Sequence, residues 1–438
     1  MDPDSPAHRK RRSPCCGCLG CGCGVPALAL LILFILYTAN NRPPNIVIPT
    51  PTPPPNNAWN DFLAAARVIR TIPHKAPASM TNPPTTRAGL LAETALCTKE
   101  AAPGLAIMRS GFGKPCLAPP QRTYADLVIQ DLAAFREVER TTTGVRLYYQ
   151  LTNQPLKAAD AALDGEEMAV MMPRGGTLIT SLVGIACEAI SLSRFEPLLP
   201  NLSKAELARV ADRLDVIAAK RVPWSDIILE EGRASTAMLQ ATLRDPKNQG
   251  FKANFETVQA LMGGSNGKPP SFQEALDAMR FMFADKNAML REHLHYFEQL
   301  AQEGKGPYVR TSKVKLPNNL FTQIVGPISS QGRAKWQASD TILTLLRIEV
   351  ALYRFKADHG FFPATLDLLS PVYLKSIPLD PFGSGKSLHY ARTKAAPGFL
   401  LYSVGSDRTD NGGRAGRYPD DQGFDIVAGW LGSRRKEY

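Results

Sequence analysis

Trp336-Gln-Ala-Ser-Asp-Thr-Ile-Leu-Thr-Leu-Leu-Arg-Ile-Glu-Val-Ala-Leu-Tyr-Arg-Phe-Lys-Ala-Asp-His359 is the stretch on which the fold turns. Ile342, Leu343, Leu346, Ile348, Val350, Leu352, Tyr353 and Phe355 recur at helical spacing, which predicts one amphipathic helix ended by Gly360. Beyond it the pattern changes. Residues 361–369 read as a turn and a short helix. Residues 388–391 and 398–404 are strand-like on either side of Ala395-Ala-Pro-Gly398, which predicts an antiparallel hairpin. A helix laid on a small sheet is an α+β module, expected over 333–430 and followed by a basic tail at 431–438.

Upstream of that helix, 317–327 reads as an extended crossing loop between prolines. Over 58–310 the apolar residues return every three or four positions, so a large helical body is expected. Asn60 or Asp61 can cap a helix carrying Phe62, Ala65, Val68 and Ile69 as far as Pro73. Thr123-Tyr-Ala-Asp126 opens another with Leu132, Phe135 and Val138. Two more, 160–171 and 177–199, flank Pro173-Arg-Gly-Gly176. The second is so apolar, through Leu182, Val183, Ile185, Ala186, Ile190 and Leu192, that it is expected at the centre of the bundle. Ser203-Lys-Ala-Glu206 has capping-box spacing ahead of Leu207, Val210, Leu214 and Ile217. A helix follows Pro223 to about Leu243, and a long one runs from Ser271 to about Gln302.

The other end of the chain is an address. His8-Arg-Lys-Arg-Arg12 precedes a stretch without charge until Arg42, and 15–40 is long enough for a transmembrane helix, which needs about 20 residues. The basic residues put the tail 1–14 in the cytoplasm and the main body outside, a single-pass signal-anchor in the bacterial inner membrane. A cleavable signal peptide is the alternative reading. Residues 41–57, with their recurrent prolines, are expected to form a stiff polyproline-like linker of about 40 Å. Cys15, Cys16, Cys18, Cys21 and Cys23 crowd the start of the span, as packing residues or acylation sites rather than a zinc site. Cys97, Cys116 and Cys187 lie where disulfides persist, and Cys97 with Cys116 is the preferred pair by proximity.

Composition narrows the classes further. The 438 residues carry a formal charge of +11, with 44% hydrophobic and 21% charged residues, which excludes wholesale disorder and a polytopic membrane protein. The basic residues are spread without an aromatic-basic strip, so nucleic acid is not an expected partner. Glu292-x-x-His295 puts a carboxylate and an imidazole on one helix face, as in di-iron bundles, but the second copy and further glutamates are missing. Glu166-Glu167 and Glu230-Glu231 are expected near helix starts, where the dipole favours acids, with neighbouring carboxylates pointing apart. Gly385-Lys386-Ser387 lacks the upstream glycine of a phosphate loop.

Leu352-Tyr353, Asp358-His-Gly-Phe-Phe-Pro363, Leu366, Leu369, Tyr373-Leu374 and Pro378-Leu-Asp-Pro-Phe-Gly383 follow one another in a particular order. With Leu388-His-Tyr390, Phe399-Leu-Leu-Tyr-Ser-Val-Gly-Ser-Asp407 and Asn411-Gly-Gly413, that order resembles the C-terminal half of the major pseudopilin of type II secretion. The resemblance implies a helix on a three-stranded sheet and a calcium-binding final loop, with Asp407, Asp420 and Asp421 as the matching acids. The chain departs from the family in lacking a prepilin cleavage sequence beside the span and in carrying a helical body where pseudopilins have one continuous helix. In that it looks like large anchored envelope proteins ending in the same kind of tail. The acids alone also suggest Ca2+. Asp407, Asp410, Asp420, Asp421 and Asp425 share a short glycine-rich segment, and calcium takes six to eight oxygens. Against it, aspartates populate turns and cap amides, and Arg408, Arg414 and Arg417 can neutralise them.

The expectation is therefore a mainly α protein: one N-terminal transmembrane helix, a Pro-rich linker, a helical bundle and an α+β pseudopilin-like head. Its expected partners are the lipid bilayer and another envelope protein, in an interaction or scaffolding role. A component of a secretion or pilus-like apparatus and an envelope enzyme using the bundle stay open.

Overall fold

The computed structural model describes residues 21–245, 247, 272–417 and 419–429. The basic tail 1–14, Cys15, Cys16, Cys18, Ser271 and the tail 431–438 lie outside the described residues. The chain is mainly helical: α1 (Cys21–Asn40), α2 (Ala58–Thr71), α3 (Arg87–Ser110), α4 (Ile129–Leu151), α5 (Pro155–Met171) and α6 (Leu178–Leu192) come first. Then come α7 (Lys204–Lys220), α8 (Trp224–Arg244), α9 (Phe272–Phe283), α10 (Lys286–Gly304) and α11 (Leu320–His359). A sheet of β1 (His389–Arg392), β2 (Phe399–Ser403) and β3 (Ile426–Val427) closes the order, antiparallel throughout, with Tyr390 opposite Leu401 and Tyr402 opposite Val427.

Two compact units divide the chain, Met1–Ile46 with Thr242–Leu290, and Val47–Ala241 with Arg291–Tyr438. The expected continuous body 58–310 is thus interrupted, and the division falls inside α8 and α10. In the first unit, Tyr37 of α1 meets Phe283 of α9 edge-on at 6.3 Å, and Asn40 Nδ2 donates to the Phe283 carbonyl at 2.7 Å.

Local chemistry sets the helix boundaries of the second unit. Asn57, rather than Asn60 or Asp61, caps α2: its side chain accepts from Trp59 N, leaving Asp61 in the first turn to pair with Lys114 at 2.8 Å. α3 has no counterpart among the expected helices. Its buried stripe, Thr94, Cys97, Ala101, Gly104, Leu105 and Met108, is largely small residues at helical spacing, and Pro103 interrupts the pattern. α7 has the expected Ser203–Glu206 capping box and buries Leu207, Val210, Leu214 and Ile217. The expected long helix to Gln302 is broken in two, because Asp285 accepts from Asn287 N and Ala288 N and starts α10 afresh.

Three further expectations are corrected. Residues 317–327 are not an extended loop throughout: Asn319 caps α11 by accepting from Thr322 N, and Pro327 lies inside the helix. The linker at Pro49 and Thr50 does not stand free, since Arg122 donates to the Pro49 carbonyl at 2.9 Å and to Thr50 Oγ1 at 3.3 Å. Cys97, Cys116 and Cys187 are free and buried: Cys97 packs inside α3, Cys116 lies in the loop that follows it, and Cys187 is on α6.

α6 is central as expected, packed against α4, α5 and α11, but its contacts are not those its apolar residues suggested. Leu178–Asn201 is, among the described residues, the helical stretch long and apolar enough to cross a membrane, and half of it is buried. The inward face of α6 is largely polar. It buries Thr180, Ser181, Cys187, Glu188 and Ser191, while Ile179 is 49% exposed and Ala186 and Ala189 face out. Hydrophobic count placed this helix centrally, but its neighbours supply polar partners on the side that meets them.

α11 joins two cores. Leu343, Leu346 and Val350 belong to the bundle core with α2 to α7, and Leu345, Ile348, Leu352 and Phe355 belong to the head core with Phe362, Phe382, Phe399 and Leu401. The stripes are offset by two positions, about 200° around a helix of 3.6 residues per turn, so one helix serves as a wall of both. Gly360, at φ +81°, ends it. We expect Leu346→Ala and Ile348→Ala each to destabilise by about 2–5 kcal/mol. In urea unfolding followed by circular dichroism, both variants should lower the midpoint of one shared transition, although one touches the bundle and the other the head.

Candidate functional site

α5 is buried almost throughout from Ala158 to Met171, yet it carries Asp160, Asp164, Glu166 and Glu167. Helical periodicity sends Asp160, Asp164 and Glu167 to one face and Glu166 to another. The expectation that Glu166 and Glu167 sit near a helix start is corrected: α5 begins at Pro155, so both lie in its C-terminal half, where the dipole disfavours acids. Their compensation is tertiary. The expectation that the two side chains diverge agrees with their surroundings.

On the inner face Glu166 is fully buried, and neither carboxylate oxygen has a hydrogen-bond partner among the described residues. Glu139 of α4, Glu188 of α6 and Arg221, between α7 and α8, surround it electrostatically. Glu139 accepts from the Ser191 hydroxyl. Glu188 accepts from Arg221 Nη1 at 2.7 Å and from the Ser339 hydroxyl of α11 at 2.6 Å. Arg221 Nε stands 3.3 Å from Asp340 of α11, and its guanidinium lies over the Trp336 ring at 5.5 Å. Trp336 Nε1 in turn donates to the Val222 carbonyl at 3.1 Å. Gly165 makes room for this arrangement: a Cβ there would run into the Glu139 carboxylate and the Ser191 hydroxyl.

Burial decides the protonation of this cluster. It pushes the Glu139 carboxyl up to about 8 despite the Ser191 hydrogen bond. It holds Glu166 well above the carboxylate range, with the Glu188 charge adding to the effect. Burial pulls the Arg221 guanidinium down, but Glu188 and Asp340 more than offset it. Farther along α11, burial and the charge of Glu196 raise Glu349 well above its ordinary value, while Glu196 itself is raised to about 7 by burial. These acids are sealed from solvent, so they can hold protons and tie helices together but present no group to a dissolved substrate.

On the outer face α5 lines an open groove of about 530 Å3, walled by α3 and α7 and flanked by Phe112 and Tyr149. Each carboxylate oxygen in it meets a cationic nitrogen. Asp160 takes Arg209 Nη2 at 2.8 Å and Arg213 Nη1 at 3.4 Å. Asp164 takes Arg109 Nε at 2.6 Å and, on its other oxygen, Arg213. Glu167 takes Lys220 and, at 3.5 Å, Arg213.

The acids proposed for calcium are spread among separate turns. Asp425 is buried and accepts from the amides of Asn411, Gly413 and Arg414. Asp407 accepts from Thr409 N and Gly423 N, and Asp410 from Gly412 N and the Tyr402 hydroxyl. Asp420 pairs with Lys335 at 2.7 Å and Asp421 accepts from Arg417 N. Among the described residues no group of three His, Cys, Asp or Glu side chains is placed to hold a metal ion. As arranged, these five do not fit a calcium shell, because their carboxylates are engaged with turn amides and a lysine. Glu292 and His295 also part company: Glu292 accepts from Asn319 at 2.6 Å, while His295 meets Glu298 and Gln299 at the surface. Among the described residues the buried histidine is His293, between the Ser235 and Thr322 hydroxyls and lowered to about 4 by burial.

Sequence reading passed over Glu139, Glu188 and Arg221. A signal existed for one of them: Glu188 is the only charged residue in α6, and a lone charge in an apolar helix needs a partner. No protein-family model, curated protein or solved structure matches the chain.

Two outcomes follow from the inner face. Glu139 keeps a proton in the folded chain that the unfolded chain releases above pH 4.5. Its contribution is therefore full below pH 4.5 and lost as pH rises to about 8, by up to about 1.4 kcal/mol per pH unit. Stability measured by urea unfolding from pH 5 to 8 should fall, and Glu139→Gln should flatten that slope. Gly165→Ala, which forces a methyl group against Glu139 and Ser191, should lose about 1–3 kcal/mol as an overpacked core does, read in the same assay.

Proposed function

We propose that this chain is a membrane-tethered interaction protein of the bacterial cell envelope, anchored by α1, with its bundle and pseudopilin-like head outside the cytoplasmic membrane. The observation that carries the reading is on α1. Leu31, Ile32, Leu33, Phe34, Ile35 and Leu36 are consecutive and each 45 to 64% exposed, so apolar side chains cover every side of the helix. Six such side chains removed from water are worth on the order of 10 kcal/mol, which a bilayer supplies. At 1.5 Å per residue, the 20 residues of α1 match a hydrocarbon core of about 30 Å. The basic run before it gives the orientation. The scaffolding role is favoured over catalysis because the converging acids of the bundle are closed to solvent, with burial holding Glu139 and Glu166 above the carboxylate range.

Alkaline phosphatase fused after Tyr438 should be active in intact bacterial cells, with the full-length chain in the membrane fraction and resistant to carbonate extraction. Release of a shortened soluble form would make the segment a signal peptide, and an inactive fusion would reverse the orientation.

A further inference from the structure

The residues lining the groove along α5 carry one positive charge in excess, Arg109, Lys157, Arg209 and Arg213 against Asp160, Asp164 and Glu167, and Glu167 is already paired with Lys220. More telling than the charge is the distribution of free hydrogen-bonding groups. All the carboxylate oxygens on the floor already meet a cation. The donors are not used up. Arg109 spends only Nε on Asp164, and Arg209 spends only Nη2 on Asp160. Lys157 has no acid partner among the described residues and lies over the Tyr149 ring at 5.5 Å. The groove therefore offers a visitor donors and positive charge, with almost no free acceptors.

We propose that this groove is a binding site for a small organic anion bearing two or more phosphoryl or carboxylate groups. Arg109 on α3 and Arg209 on α7 present unused guanidinium edges from opposite walls, a geometry suited to paired oxygens. Lys157 adds a point charge near the Tyr149 face, where the non-ionic part of the ligand packs. A volume of about 530 Å3 lies within the range of small-molecule sites. The buried pairs of Asp164 and Glu167 with Arg213 and Lys220 hold the floor, so occupancy requires no ion pair to break. The site is independent of the membrane reading, because it depends only on side chains of the bundle, from α3, α4, α5 and α7.

Isothermal titration calorimetry on the full chain in detergent micelles, at fixed ionic strength, tests it with two probes, inorganic pyrophosphate and citrate. At least one should bind, and the preferred probe tells phosphoryl from carboxylate ligands. Affinity should fall by roughly tenfold or more in Lys157→Gln/Arg209→Gln. It should hold in Lys386→Gln/Lys394→Gln, which removes the same charge from exposed positions of the head. Lys157→Gln alone, which breaks no ion pair, should weaken binding while leaving the thermal melt unchanged, separating lost recognition from lost folding. Failure of both probes at millimolar concentration, or equal weakening in the groove and head variants, overturns the proposal.

Discussion

Arg221 is a buried guanidinium, and much of the second unit is arranged around keeping it neutralised. It stands at the corner between α7 and α8, bonded to Glu188 of α6, close to Asp340 of α11 and stacked on Trp336. Removing one member of such a buried pair costs about 3–5 kcal/mol, because the remaining charge is stranded in a medium that cannot solvate it. That penalty makes the corner, α6 and the start of the head-bearing part of α11 one mechanical unit. Glu166 shows the limit of the arrangement: burial, with the Glu188 charge added, holds its carboxyl well above the carboxylate range although Arg221 pulls the other way.

α11 passes the constraint on to the head. Its Leu343, Leu346 and Val350 fill the bundle core while Leu345, Ile348 and Phe355 fill the head core on the opposite side. A boundary at residue 333 therefore describes the sequence better than the structure. The head has its own strands and turns, fastened internally by buried aspartates. Asp380 accepts from Phe382 N, the Ser403 hydroxyl and Val404 N, and Asp425 gathers the amides of the final loop. In such turns a carboxylate satisfies amides that the irregular backbone would otherwise leave unpaired, a use of aspartate that needs no metal.

The two faces of α5 divide the labour of charge. Toward α4 and α6 its glutamate is hidden, and burial holds it above the carboxylate range. Toward α3 and α7 its acids are paired with arginines and a lysine and line a groove open to water. The first arrangement sets the register of the bundle, and the second leaves an electropositive groove on a protein whose net charge is +11.

Much of the architecture was legible along the chain, because it rests on neighbours within one or two helical turns. The capping box at Ser203 and Glu206, the period of α7, the end of α11 at Gly360 and the hairpin about Pro397 are all local. Periodicity also showed the α+β character of the head. It missed α3, whose buried stripe is mostly small residues, and it gave no sign of the polar residues that α6 turns toward its neighbours. Hydrophobicity counts apolar residues without knowing which neighbours offer hydrogen bonds. The candidate site was almost invisible for the same reason. Glu139, Glu166, Glu188 and Arg221 come from three helices and a corner, and the groove joins Lys157 of α5 to Arg109 of α3 and Arg209 of α7. Only the packing of helices distant in sequence decides which carboxylates meet a guanidinium, which are buried and left neutral, and which donors remain free.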